Sequence, residues 1–211
     1  MTAHDIERTC STMIVAGSET TATLLSGAVY YLLKNPQWMA ALCEEIDTAF
    51  PTENLISFAS TRHAKILNAV IHETLRIYPP VSTSLPRVVP PEGATVCGQF
   101  LPPGTHLGIA QYAMYRSSLH FTNPGTFAPE RFLGAVEYAK DARSVMNSFS
   151  IGPRNCIGRN LAWAEIRIIL ARLLWNFDIA LEHGSVDWEK QKVFILWQKA
   201  PLMVRLTVRQ H

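Results

Sequence analysis

Cysteine is scarce and scattered in this chain. Cys10, Cys43, Cys97 and Cys156 are all that 211 residues contain, and no two of them form a C-x-x-C pair. That spacing excludes a zinc knuckle and a thioredoxin-type redox centre, and it points to reduced thiols in an intracellular protein. Long apolar runs are missing too. The opening M-T-A-H-D-I-E-R-T-C is too polar for a secretory signal, and Ser18, Glu19, Thr20 and Thr21 interrupt the longest candidate stretch, Met13 to Leu33. No membrane segment is therefore expected in this chain. Neither sign of charge dominates: 19 Lys and Arg against 17 Asp and Glu give a formal charge of +2, so no nucleic-acid partner is expected. The seven histidines show no H-E-x-x-H or comparable metal spacing and are read as surface or packing residues. Repeats and low-complexity tracts are absent, so any function must be sought in local motifs.

Helical periodicity is what the chain has in quantity. Ile6, Cys10, Met13, Gly17, Thr20, Leu24, Ala28 and Tyr31 recur at three- and four-residue steps, and Asn35-Pro36 ends that first helix. A second helix is predicted from Pro36 to Phe50, with Pro36 in its first turn. A third, from Ser60 to Tyr78, places Ile66, Leu67, Val70, Ile71, Leu75 and Tyr78 on one face and stops at Pro79-Pro80. Val81 to Tyr115 is rich in Pro, Gly, Val and Thr and reads as small strands and turns. From His120 to Cys156 the pattern is that of an ordered, meandering loop, and long loops in compact domains tend to be functional. A last helix, Ile157 to Asn176, is expected to turn Leu161, Ala164, Ile168, Ala171 and Trp175 inward, and the alternation from Leu202 to Arg209 suggests terminal strands. Trp163, Trp175, Trp188 and Trp197 are expected to fill the core.

The most specific feature is Phe149-Ser150-Ile151-Gly152-Pro153-Arg154-Asn155-Cys156-Ile157-Gly158, a cysteine between two glycines just before a helix. Gly152 and Gly158 let the chain pass close beneath a flat cofactor where a side chain would collide. A thiol at a helix N-terminus is biased toward thiolate, the form that binds metal. Taken alone, Cys156 would read as a buried structural thiol, as Cys10, Cys43 and Cys97 do. Gly152, Arg154 and Gly158 around it reverse that reading.

At these residues the chain resembles the cytochrome P450 family, whose haem-binding pattern F-x-x-G-x-R-x-C-x-G is met at every fixed position. Three further family patterns follow the family's order. Ala16-Gly17-Ser18-Glu19-Thr20-Thr21 is similar to the oxygen-activating helix, Glu73-Thr74-Leu75-Arg76 to its E-x-x-R helix, and Pro129-Glu130-Arg131-Phe132 to the segment whose arginine joins that pair. The resemblance implies that Cys156 ligates haem iron, where a thiolate favours O–O cleavage. It implies that Phe149 shields the sulfur, that Arg154 and Arg87 hold haem propionates, and that Glu19 and Thr20 manage protons beside bound dioxygen. Glu73, Arg76 and Arg131 are expected to form a buried structural network, and Val81 to Leu85 to line the substrate side. Arg159 and Arg167 are read as a solvated face, with docking of an acidic reductase as the second reading.

The fold class expected is mainly α with a small β portion: one truncated domain over 1–211, with the oxygen-activating helix at 4–34, the E-x-x-R helix at 60–78, the meander and ligand loop at 120–158 and the proximal helix at 157–176. The activity implied is a monooxygenase that inserts one atom of dioxygen into a small apolar substrate, using haem b and electrons from NADPH through NADPH-cytochrome P450 reductase. Two alternatives stand beside it: a truncated, non-catalytic remnant, and a haem-binding module without turnover. Family members are normally much longer, and Met1 falls near the start of their oxygen-activating helix, so the upstream part is expected to be absent. Localisation follows from that part: the endoplasmic reticulum membrane with the family's usual anchor, the cytoplasm without it. Ala113-Met114-Tyr115-Arg116 departs from the family, which often has histidine before the arginine. The style of Asn160-Leu161-Ala162-Trp163-Ala164-Glu165 resembles filamentous-fungal members, many of which oxidise secondary metabolites.

Overall fold

A computed structural model describes residues 2–185 and 187–211. Its longest element, α1 (Ala3–Lys34), opens with a capping box in which Thr2 and Asp5 satisfy each other's backbone N–H groups. It ends at Asn35, and Pro36 occupies the first turn of α2 (Pro36–Ala49). Only the C-terminal half of α1 is packed: Thr21, Thr23, Leu24 and Gly27 to Leu32 are buried, whereas residues 2–18 are exposed.

The centre of the fold is α3 (Lys65–Ile77), which packs against α1, α2 and α5 (Arg159–Asn176). A continuous helix from Ser60 was expected, but Ser60–His63 is a separate 3-10 turn and Ala64 is extended. The cause lies elsewhere in the chain. The Glu45 carboxylate on α2 accepts the Ile66 and Leu67 N–H groups, each at 2.8 Å, and so fixes where α3 begins. Contact between α1 and α3 is close: a methyl group added at Gly27 would stand 2.6 Å from the Tyr78 ring. The last helix likewise starts two residues later than the pattern suggested, with Gly158 as its N-cap.

Among the described residues the β portion consists of four two-stranded antiparallel sheets. In the region read as strands and turns, β1 (Arg87–Val88) pairs with β4 (His106–Leu107) and β2 (Ala94–Val96) with β3 (Gln99–Leu101). That region also contains a five-residue helix, α4 (Gln111–Tyr115), which the turn-rich composition did not reveal. Near the C-terminus β5 (Phe177–Leu181) pairs with β8 (Val204–Val208), and β6 (Lys192–Val193) with β7 (Trp197–Gln198). The fold is mainly α with a small β portion.

Charge at the core is concentrated in one cluster. Glu73 receives Arg76 through two hydrogen bonds, at 2.8 and 2.6 Å, and the Ala128 N–H at 2.9 Å. Arg76 spends its other donors on the carbonyls of Tyr115, Pro124 and Thr126. The Arg131 Nε lies 3.4 Å from Glu73 without hydrogen-bond geometry, while its Nη1 grips Asp141, a fourth member that the sequence patterns did not include. The Phe121 ring lies 5.4 Å from one guanidinium and 5.6 Å from the other. Helix and meander are thereby tied together by charge as well as by packing.

Burial works against an ionised Asp141, but the Thr122 N–H and the Arg131 guanidinium outweigh it and hold the carboxyl below the ordinary carboxylate range. A depressed folded-state pKa gives stability that is present above the unfolded value, about 3.9, and lost as pH falls through the folded value. Acid unfolding of the parent is therefore expected to steepen below about pH 4, and Asp141→Asn to flatten that limb. Urea midpoints measured at a series of pH values would show it.

Candidate haem-thiolate site

The loop before α5 is built to leave its cysteine uncovered. Ser150 and Gly152 both adopt left-handed backbone angles, φ +59° and +77°, and a 3-10 turn over Gly152–Arg154 follows. The Ser150 N–H donates to Asn147 O, Asn155 N–H to Gly152 O, and Cys156 N–H to Phe149 O at 2.8 Å, closing the loop on itself. Cys156 emerges exposed, two residues before the N-cap of α5. A methyl group added at Gly152 would meet nothing within 4 Å, and one at Gly158 would approach only the Cys156 sulfur, at 3.9 Å.

Several apolar side chains on the loop and the first turn of α5 are exposed, beside the exposed Arg154, Asn155 and Arg159. Ile151 is 69% exposed, Ile157 95% and Leu161 61%. Leu161 had been expected to face inward; α5 instead buries Ile166, Leu170, Ala171 and Leu174, so its first turn presents Leu161 on the open surface. Behind the loop Phe149 is half-buried, with its ring 6.2 Å from Trp163, and Trp163 meets His72 at 4.8 Å. Burial, reinforced by Arg167 and Arg159, pushes the His72 imidazole down to about 4, so it is neutral at ordinary pH and serves in packing.

On α1 the motif residues sit where the helix leaves the packed body. The Thr20 hydroxyl donates to Ala16 O at 2.6 Å, and Ser18 and Thr23 make the same type of bond to Ile14 O and Glu19 O. Open space surrounds Gly17, where an added methyl would meet nothing within 4 Å. Glu19 is ion-paired to Lys199, a residue that no sequence pattern marked. Helix α1 packs on α5, the element into which the cysteine loop runs.

The other expected residues divide. Glu73, Arg76 and Arg131 come together in the core, away from solvent. Arg87 on β1 is exposed, with Nη1 donating to Leu85 O and Pro86 O, and Arg154 is exposed on the cysteine loop. Arg159 is exposed, as a solvated face requires, but Arg167 is half-buried. It donates to Asn68 Oδ1 at 2.7 Å and lies over the Trp163 ring at 4.6 Å, because α5 turns it toward α3. Cys10 and Cys97 are exposed instead of built into the core. Trp188 and Trp197 are buried as core residues, and Trp163 and Trp175 are half-buried.

Among the described residues no cluster of three or more His, Cys, Asp or Glu could hold a metal ion by itself. The exposed thiol of Cys156 can supply a sulfur ligand to a metal carried by a cofactor. The family model for cytochrome P450 matches residues 1–206. The chain belongs to the cytochrome P450 family. Its curated relatives include cytochrome P450 monooxygenase aclL of Aspergillus oryzae, 47% identical over 100% of this chain and 43% of that protein. Cytochrome P450 monooxygenase astA of Talaromyces wortmannii is 46% identical over 99% of this chain and 42% of its own length. Averantin hydroxylase of Dothistroma septosporum is 46% identical over 94% and 39%. The chain spans about two-fifths of the length of these relatives. For a cytochrome P450 the implied cofactor is haem, with electrons delivered by a redox partner. No helix among the described residues is long and apolar enough to cross a membrane.

Proposed function

We propose that this chain carries the haem-ligating and oxygen-activating part of a haem-thiolate monooxygenase. The observation that carries the reading is the exposed Cys156 on a glycine-bounded loop, bordered by bare apolar side chains. These residues fit a haem: Gly152 and Gly158 keep bulk away from the ring, Ile151, Ile157 and Leu161 offer it apolar cover, and the exposed Arg154, with Arg87 after giving up its bonds to the neighbouring carbonyls, can pair with carboxylates at its rim. Bound there as haem b, the cofactor would supply dioxygen binding and the oxidising power for inserting one oxygen atom into an apolar substrate.

The chain's own residues supply the rest. Cys156 would supply the sulfur ligand to the metal, and Phe149, packed behind the loop, would limit water near that sulfur once the cofactor covers it. Thr20 can exchange its bond to Ala16 O for one to a ligand beside Gly17, and Glu19, one residue away, can pass protons to that hydroxyl. NADPH, through NADPH-cytochrome P450 reductase, is the electron source we assign. Averantin hydroxylase among the relatives supports a substrate from fungal secondary metabolism. We assign an intracellular location, on the endoplasmic reticulum membrane where an anchor segment accompanies the chain.

Reductase-supported turnover under isotopically labelled dioxygen tests this. The account expects one labelled atom in the product. Thr20→Ala is expected to lower product per electron pair by roughly a hundredfold while electrons are still consumed. Haem bound through Cys156 with no labelled product under any electron supply would favour the alternative of a haem-binding segment without turnover.

A further inference from the structure

Glu19 is held from the far end of the chain. Lys199 follows β7, and its ammonium pairs with the Glu19 carboxylate and donates to Thr23 Oγ1 at 2.6 Å. The Thr23 hydroxyl in turn donates to Glu19 O at 2.7 Å, so one ammonium binds both the side chain and, through Thr23, the backbone of a single α1 turn. The Lys199 side chain is only 18% exposed and that of Glu19 41%, so the pair is partly withdrawn from water.

Lys199 itself has little freedom. Two residues before it, Trp197 donates Nε1 to Pro79 O at 2.7 Å and stacks on Tyr78 with ring centroids 4.5 Å apart. One residue after it, Ala200 O accepts the Trp188 Nε1 at 2.7 Å. The same β6–β7 hairpin leaves Phe194 and Ile195 exposed at its tip, 67% and 65%. The hairpin is thus anchored at its base, bare and apolar at its end, and joined by Lys199 to the carboxylate on α1.

We propose that Lys199 is a positioning residue that sets the orientation of the Glu19 carboxylate and so makes proton handling on α1 depend on the β6–β7 hairpin. The inference rests on Glu19 being the proton-handling acid. Pairing with a fixed ammonium keeps the carboxylate directed toward the hairpin, while Thr20 remains bonded to Ala16 O. Methionine at 199 keeps the length of the side chain and removes the charge; arginine keeps the charge and adds donors.

The test compares the haem-loaded full chain with Lys199→Met, Lys199→Gln, Lys199→Arg, Glu19→Gln and the double variant Glu19→Gln/Lys199→Met. Two readouts are taken: the C–O stretching band of the reduced carbon monoxide complex, which senses charge and donors near the bound ligand, and the solvent isotope effect on turnover. Lys199→Met and Lys199→Gln are expected to move the band and to change the isotope effect about twofold or more, and Lys199→Arg to restore both. The double variant should match Glu19→Gln alone. Parent values in Lys199→Met and Lys199→Gln, with both readouts altered in Glu19→Gln, would overturn the role of Lys199. Parent values in Glu19→Gln would remove the Glu19 assignment beneath it.

Discussion

Glu73→Ala is expected to destabilise the protein by about 3–5 kcal/mol, the cost of removing one member of a buried charge network. Its carboxylate is the acceptor for the Arg76 fork and for the Ala128 N–H, all within 2.9 Å and away from water. Truncation leaves Arg76 and Arg131 charged and buried with less negative charge beside them, and no solvent reaches either group to compensate. The loss should appear as a lower urea midpoint in equilibrium unfolding, with Asp141→Asn showing a smaller loss because the amide oxygen can still accept from the Thr122 N–H or Arg131. A change below about 1 kcal/mol for Glu73→Ala would mean that the arginines find other partners.

The second large effect separates function from folding. Cys156→Ala should abolish monooxygenase turnover, since it removes the only side chain on the loop that can ligate iron through sulfur. Stability of the haem-free chain should change by less than about 0.5 kcal/mol, because an exposed side chain contributes little packing. Chemical unfolding without haem, run beside a reductase-coupled assay with haem, reads both. A substantial loss of stability in the haem-free variant would show that the thiol has a packing role in the folded chain.

What could be read from the sequence was local. Periodicity placed α1, and the Asn35-Pro36 step marked the junction with α2, because proline constrains only its immediate neighbours. The cysteine loop was legible for the same reason: Gly152, Arg154, Cys156 and Gly158 carry their meaning within a few residues. The E-x-x-R pair was legible as one helical turn.

Interactions spanning long stretches of chain left no such mark. Glu45 sets the start of α3 from another helix, Asp141 completes the buried cluster from a loop, and Lys199 meets Glu19 from the opposite end of the sequence. Arg167 looked solvated because helical periodicity cannot distinguish a surface face from one turned against the neighbouring helix. Leu161 was assigned inward for a related reason: an apolar residue left on the surface has the same pattern as one facing the core. Strands were legible as regions, in 81–115 and from Leu202, but their pairing and the five-residue α4 fell below the length at which period or propensity is informative.

Absorption of the reduced, carbon monoxide-bound protein after loading with haem tests the central claim most directly. Ligation by the Cys156 thiolate predicts a Soret band displaced to the long wavelength characteristic of sulfur-bound haem, absent in Cys156→Ala. A band at the shorter wavelength of nitrogen-ligated haem, or a long-wavelength band that persists in Cys156→Ala, would contradict it.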